Sequence, residues 1–353
     1  MGALWRLTRP ALFALDAEAA HHAAMWGLSL FEGAGGLASA VRKTMGADRL
    51  PTQVGALPFP NCVGLAAGLD KNAEAISGLF ALGFGAVEVG TVTPRPQPGN
   101  PLPRLFRIPA EQALINRMGF NNDGADAIAA RLAEATFRPG PVGANLGKNK
   151  DTPIEAAAGD YVAAARRLGP VADYLVVNLS SPNTPGLRTL QQPQVLEGLL
   201  KAARLAAGPG KPLWLKIAPD LSDDAVEAAV DVAIACGVDA LVATNTTLAR
   251  PFFHPLAAEA GGLSGAPVRA RSTQVVRRAF LHAGGKLPIV GVGGIFSGAD
   301  AWEKIRAGAS LVQLYTGFVY GGPLCVKRIL EELDALLRGA GLTSVTQAVG
   351  RDS

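Results

Sequence analysis

"DYLVVNLSSPNTPG" (173–186) moves from a wholly apolar stretch, Tyr174 to Val177, straight into amides, hydroxyls and turn formers. A strand with one wet face alternates apolar and polar residues; this one does not, which predicts burial on both faces, as in a parallel sheet. Seven further short apolar runs occur, several of them near-continuously apolar rather than alternating: "CVGLAAG" (62–68), "GAVEVGTV" (85–92), "PVGANLG" (141–147), "PLWLKIAP" (212–219), "DALVATNT" (239–246), "LPIVGVGG" (287–294) and "SLVQLYTG" (310–317). Between them lie segments with helical spacing, among them "DKNAEAISGLFALG" (70–83) and "SDDAVEAAVDVAIACG" (222–237), the second opening on a capping serine and closing on a glycine. Eight strand–helix units predict an α/β fold of the (β/α)8 TIM-barrel type. A doubly wound sheet is the alternative, but no G-x-G-x-x-G follows the first strand, and "GVGGIFSG" (291–298) has Phe296 where the third glycine would fall.

The chain has 353 residues, 49% hydrophobic and 18% charged, with 42 glycines, enough for one large barrel domain. Its net charge of +4 is spread without a basic, aromatic-interleaved stripe, so nucleic acid is not an expected partner. Cys62, Cys236 and Cys325 are odd in number and far apart, which suggests neither a disulfide framework nor a thiolate metal site. Two gaps, 93–140 and 247–286, are too long for simple connections and are read as functional loops, while "LTSVTQAVGRDS" (342–353) reads as a partly ordered tail. Residues 1–45 are expected to form a helical extension, 46–340 the barrel and 341–353 the tail. Charges at Arg6, Arg9, Asp16, Glu18 and Glu32 break the apolar N-terminus well before the ~20 residues a spanning helix needs. Leu4, Leu7, Ala11 and Leu15 share one helical face, and Met25, Leu28 and Phe31 suggest a second helix. Such a pair could cap a core, or lie in a membrane plane with Trp5 and Trp26 at the headgroups.

Polar residues at the ends of buried strands call for a reason. Asp70 and Lys71, Thr91, Asn145, Asn178 and Ser181, Lys216, Thr244 to Thr246, and Tyr315 and Thr316 each follow a different run. One alone would be a helix cap; so many together predict a single polar pocket at the C-terminal face. Glycines after the seventh and eighth runs allow backbone amides to approach an anion, which implies a phosphate-bearing ligand. Asn116, Asn145, Asn178, Asn183 and Asn245 suit a flat ligand with alternating N–H and C=O groups. His21, His22, His254 and His282 all lie away from strand ends, disfavouring a Ser–His–Asp hydrolase and a histidine metal site; they are read as surface or helix residues. No carboxylate cluster accompanies them, which disfavours glycosidase and Mg²⁺ phosphoryl-transfer chemistry and leaves an organic cofactor as the source of reactivity. No metal is expected.

The motifs "AAGLDKN" (66–72), "GTVTPRPQPGNP" (90–101), "INRMGFNNDG" (115–124), "ANLGKNKDTP" (144–153), "VNLSSPNTPGLR" (177–188), "LKIAPDL" (215–221), "ATNTT" (243–247), "GGLSG" (261–265), "GVGGI" (291–295) and "QLYTGF" (313–318) occur in this order. Together they resemble the class 2 dihydroorotate dehydrogenases over roughly residues 1–340. The resemblance implies an FMN-containing barrel that oxidises dihydroorotate to orotate in pyrimidine synthesis and passes electrons to a membrane quinone. It assigns Ala66, Ala67, Gly68, Leu69, Asp70, Thr91, Asn145, Asn178, Lys216, Thr244, Gly265, Gly294, Tyr315 and Thr316 to the flavin. Lys71, Asn116, Arg117, Met118, Gly119, Phe120, Asn178, Asn183, Asn245 and Thr246 fall to the substrate. Ser181 becomes the base that removes the proton from C5 as hydride leaves C6, with Ser180 structural and with Pro182, Pro185 and Gly186 shaping a loop that closes over the site. Class 1 enzymes carry cysteine at the base position and lack the N-terminal extension, so both markers imply class 2. The helix pair is then a quinone entrance, and the protein a monomer held peripherally on the cytoplasmic face of the inner membrane. Other flavin barrels (a dihydrouridine synthase, an ene-reductase), a Schiff-base aldolase using Lys216 and a non-catalytic phosphate binder are the rival readings.

Overall fold

The computed structural model describes residues 3–184 and 186–352. Pro185, expected in the closing loop, and the side chain of Leu4, expected on the first helical face, fall outside what is described. Three helices come first: α1 (Ala3–Ala14), α2 (Ala17–Ser29) and α3 (Gly35–Met45). Asp16 separates the first two because its carboxylate accepts from the N–H groups of Glu18 and Ala19, capping α2. A short hairpin, β1 (Thr52–Val54) and β2 (Leu57–Phe59), leads into the barrel.

The eight apolar runs are the eight barrel strands: β3 (Val63–Leu65), β4 (Ala86–Val92), β7 (Val142–Leu146), β8 (Tyr174–Asn178), β9 (Leu213–Ile217), β10 (Ala240–Ala243), β12 (Ile289–Val292) and β13 (Ala309–Leu314). They are parallel and close in chain order, β13 pairing back onto β3. Outside them pack α4 (Ile76–Ala81), α5 (Gly124–Glu134), α6 (Ala157–Leu168), α7 (Pro193–Ala207), α8 (Asp223–Ala235), α9 (Arg269–Ala283), α10 (Gly298–Arg306), α11 (Thr316–Gly321) and α12 (Cys325–Gly339). The main apolar core lies between strands and helices. A second one fills the barrel's lower interior, where the Tyr174 and Trp214 rings stack at 3.9 Å and Phe59 from the hairpin packs beneath. The hairpin therefore plugs the N-terminal end of the barrel.

Three sequence expectations are corrected. The long gaps are ordered: they hold β5 (Leu105–Ile108), β6 (Ala113–Asn116) and β11 (Gly262–Gly265), which form a three-stranded antiparallel sheet over the barrel mouth with its own small core of Ile108, Ile115 and Leu263. The helix expected over 70–83 is confined to Ile76–Ala81, because the Asp70 carboxylate binds the N–H groups of Glu74 and Ala75 and holds the preceding residues in a turn. The tail is docked: Val345 and Ala348 are fully buried in a 3₁₀ turn, and Gly350 and Asp352 donate to the carbonyls of Ile305 and Arg306. Capping of α8 by Ser222, by contrast, follows the sequence reading.

Two contacts seat the N-terminal helices. The Arg104 guanidinium, beside β5, forks onto Glu18 of α2 at 2.8 to 3.1 Å and also holds the carbonyls of Pro98 and Asn100. Arg42 of α3 donates to the carbonyls of Phe80 and Phe84 at 2.9 and 2.8 Å. The Arg104–Glu18 ion pair is near-buried on both sides and fixes orientation, since a charge left there without its partner costs on the order of 3–5 kcal/mol, whereas buried Arg42 holds α3 through backbone carbonyls.

Candidate active site

Between the barrel mouth and the small sheet lies a cavity of about 1090 Å³, solvent space at its opening included. The strand ends bring to it Ala66, Ala67, Gly68, Lys71, Thr91, Asn178, Ser181, Asn183, Lys216, Thr244, Asn245, Thr246, Gly294, Tyr315 and Thr316. The covering sheet and its turn add Asn116, Met118, Gly119, Phe120 and Gly265. Four residues singled out from the sequence do not line it. Asn145 lies one layer below, Leu69 faces a second cavity, Asp70 is spent on its backbone turn, and Arg117 pairs with Glu259 over the Phe106 ring.

The amides form one connected lattice. Asn178 donates to Thr91 Oγ1 (3.0 Å) and Asn145 Oδ1 (2.9 Å), and Thr91 donates to Asn145 Oδ1 at 2.6 Å. Asn245 donates to Asn178 Oδ1 (3.2 Å) and Ser180 Oγ (3.0 Å), and Ser180 in turn donates to Asn178 Oδ1. Asn183 reaches across to the small sheet, donating to Asn116 Oδ1 at 3.0 Å. Such a lattice fixes each amide's orientation, so the faces left open to the cavity are preset donors and acceptors. The two serines separate clearly. Ser180 is fully buried and tied to Asn178 and Asn245; Ser181 lines the cavity, and its Oγ accepts from the Asn183 N–H at 3.2 Å.

Charge is sparse and positive. Burial pushes the Lys71 ammonium down to about 8, with Glu18 opposing. Lys216 is also lowered by burial and is held up by Glu88, whose Oε1 lies 3.9 Å from Nζ. At the opposite end Gly265, Gly293 and Gly294 all have positive φ, and Thr316 Oγ1 lies 2.8 Å from Ser264 Oγ. A Cβ on Gly294 would lie 2.3 Å from that of Arg269, so the turn can exist only with glycine. Backbone amides and hydroxyls without a carboxylate are a donor set for phosphate, and the amide floor suits a flat ring system; these residues fit a phosphate-bearing planar cofactor.

A second cavity of about 1070 Å³ lies between α1, α2 and the barrel. Trp5, Leu12, Phe13, Met25 and Leu28 line it, and its polar features are His21, Arg107 and the Tyr315 side chain. Burial, with Lys71 and His22 nearby, pushes the His21 imidazole down to about 3, so it is neutral. Arg107 sits over the Phe13 ring at 4.8 Å and donates to the carbonyls of Leu12 and Leu15. His21 thus departs from the reading of all four histidines as bland, because α2 folds back over the strand ends, which no local pattern reveals. Leu105, Leu114 and Tyr315 belong to both cavities and form the wall between them. Arg107, Glu88 and Gln313 were missed by sequence reasoning; the signal for Glu88 was a carboxylate inside an otherwise uncharged strand. No helix among the described residues is long and apolar enough to cross a membrane, and no His/Cys/Asp/Glu group among them could hold a metal.

Known proteins resemble this chain along its whole length. The sequence pattern of the family described as dihydroorotate dehydrogenase matches residues 49–337. The dihydroorotate dehydrogenase (quinone) of Myxococcus xanthus is 58% identical over 355 residues, covering 99% of this chain and 98% of that protein. That of Anaeromyxobacter dehalogenans is 55% identical, covering 99% and 97%. The crystal structure of DHODH from Eimeria tenella in complex with ferulenol shares the fold with a TM-score of 0.85 at 40% identity, covering 96% of both chains. Ten ordered motifs, a closed barrel with its covering sheet and these relatives agree: the chain belongs to the dihydroorotate dehydrogenase family.

Proposed function

We propose that the chain oxidises dihydroorotate to orotate, with FMN in the first cavity as immediate acceptor and a membrane quinone in the second as final acceptor, in pyrimidine synthesis. The observation that carries this is the common wall: two chambers of unlike character, one amide-lined and one apolar, meet at Leu105, Leu114 and Tyr315. When bound, FMN supplies a two-electron acceptor that can exchange with both. The glycine turns and Thr316 would hold its phosphate, and Thr91, Lys216 and Thr244 would border its ring system.

Lys71 pairs with the substrate carboxylate, and Asn116, Asn178, Asn183 and Asn245 read the edges of the substrate ring. Ser181 takes the proton at C5. A serine oxygen is a weak base in water, so Ser181 gives up its own hydroxyl proton as it takes the one from C5, and the Asn183 N–H holds Oγ in place and offsets the negative charge left as that hydroxyl proton departs. Thr184, three residues on and nearly buried, passes the proton toward solvent. Quinone enters between α1 and α2, with its polar head toward His21 and Arg107. Exposed Leu7, Leu15, Trp26, Leu30 and Leu37 on or beside the three N-terminal helices favour peripheral seating on a membrane, and the face we propose is the cytoplasmic one.

The test is anaerobic. The purified protein should be yellow, should bleach with dihydroorotate and should recover with a quinone. Ser181→Ala should keep its flavin and bleach about 10²–10⁴-fold more slowly, the usual worth of a positioned base. A flavin-loaded protein that dihydroorotate does not bleach overturns the reading.

A further inference from the structure

Glu88 lies mid-way along β4, among Ala, Val, Gly and Thr, and is fully buried inside the barrel. Three groups converge on its carboxylate. Asn145 Nδ2 donates to Oε1 at 2.8 Å, Gln313 Nε2 donates to Oε2 at 2.8 Å, and Lys216 Nζ lies 3.9 Å from Oε1. Lys216 and Gln313 also line the first cavity, and Asn145 anchors Thr91 and Asn178, which line it too. Glu88 is therefore the one carboxylate among the described residues bonded into the lattice beneath the proposed flavin. Space filling does not account for it: an apolar residue of similar volume commonly serves as well as a buried charge, without the desolvation cost.

We propose that Glu88 is a positioning residue for the flavin site, fixing Lys216 and Asn145 under the ring system and setting the bound flavin's reduction potential through the charge balance of the Glu88–Lys216 pair. This deepens the function proposed above and rests on it. The carboxylate neutralises most of the lysine's field, so the cavity floor offers the flavin a paired charge rather than a bare cation.

The network itself supplies a clean variant. Gln313 Oε1 has no hydrogen-bond partner among the described residues. In Glu88→Gln the new amide oxygen keeps the bond from Asn145, and its NH₂ turns toward Gln313, which rotates its own amide to accept through the idle oxygen. The bonds made by the residue 88 side chain to Asn145 and Gln313 are kept, the Gln313 NH₂ turns to the neighbouring Tyr174 hydroxyl, and the charge goes.

The titratable groups around the pair are few. Glu88 comes from β4, Tyr174 from β8, Tyr315 from the end of β13 and Lys71 from across the cavity. Burial and Glu88 together push the Tyr174 hydroxyl well above its usual value, and burial pushes Tyr315 to about 12, so both stay neutral through pH 9. Burial pushes Lys71 down to about 8, and Glu88 is not among the charges that shift it, so its contribution is common to both proteins. Burial lowers Lys216 and Glu88 raises it, so removing the carboxylate moves its titration to lower pH.

The experiment is spectroelectrochemical titration of the holoenzyme from pH 6 to pH 9, wild type against Glu88→Gln, with flavin content measured in each. The variant should retain its flavin, with a midpoint potential more positive than wild type at the acid end of this range, because loss of the carboxylate leaves the positive charge of Lys216 unopposed. That difference should shrink as pH rises and the lysine gives up its proton. Glu88→Asp, which restores the charge, should return the potential toward wild type. Superimposable potentials at every pH, or flavin loss with an unchanged potential in the fraction still loaded, overturn the proposal by reducing Glu88 to packing. A wild-type protein that never holds flavin defeats the underlying function instead.

Discussion

At the level of single residues, Lys71 carries a pH consequence for the first cavity. It is buried at the cavity wall, and its ammonium has been pushed down to about 8 by that burial. The protonated form is the one that binds a carboxylate, so affinity for the anionic substrate is full below that value and is lost as pH rises through it. We expect kcat/KM for dihydroorotate to fall as pH rises through about 8, while kcat at saturation holds to higher pH, because the bound carboxylate restores the ammonium. Lys71→Met should remove this alkaline limb and cost about 10- to 100-fold in kcat/KM, as for one charged hydrogen bond. Steady-state profiles from pH 6 to 10 check both; an alkaline limb that persists in the variant would assign it elsewhere. Ser180 shows the opposite economy, its hydroxyl consumed by Asn178 and Asn245, so that of the two serines only Ser181 lines the cavity.

Among the elements, α1 and α2 build the apolar cavity and are tied to the covering sheet by Arg104 on Glu18 and Arg107 on the carbonyls of Leu12 and Leu15. They supply Trp5, Leu12, Phe13, His21, Met25 and Leu28 to the apolar cavity, whereas α3 clamps the barrel through Arg42. Deleting residues 2–33 should therefore abolish quinone reduction while dihydroorotate still bleaches the flavin; full quinone turnover in the truncated protein would refute the assignment. The barrel strands were legible because double-sided burial leaves an unmistakable apolar run that ends abruptly in Asn, Ser or Thr. The covering sheet was not. Its strands are four residues long, and β11 finds β6 some 150 residues earlier in the chain, so the small core of Ile108, Ile115 and Leu263 exists only after the barrel has brought the two gaps together. The site was legible to the extent that it hangs from strand ends. His21 and Arg107 were not, since each becomes a cavity residue only when α2 and β5 meet above the barrel. The tail misled for a related reason: Val345 and Ala348 are too few to show a period, yet they find a buried seat beside α10.

At the scale of the whole molecule, chemistry and closure occupy opposite ends. The hairpin of β1 and β2 plugs the N-terminal end with Phe59 under Trp214, so polar function can concentrate at the other end without opening the core. There Tyr315 stands in the partition between an amide-lined chamber and an apolar one. With the two ligands in separate chambers, the donor need not leave before the acceptor arrives. Orotate should then raise the apparent KM for dihydroorotate without competing against quinone, and an apolar quinone mimic should show the reverse pattern. Initial-rate measurements with each inhibitor against each substrate decide this; mutual exclusion of the two inhibitors would mean one shared chamber. A compound shaped for one chamber and a compound shaped for the other can thus occupy a single molecule at once, and their effects on turnover should multiply rather than substitute.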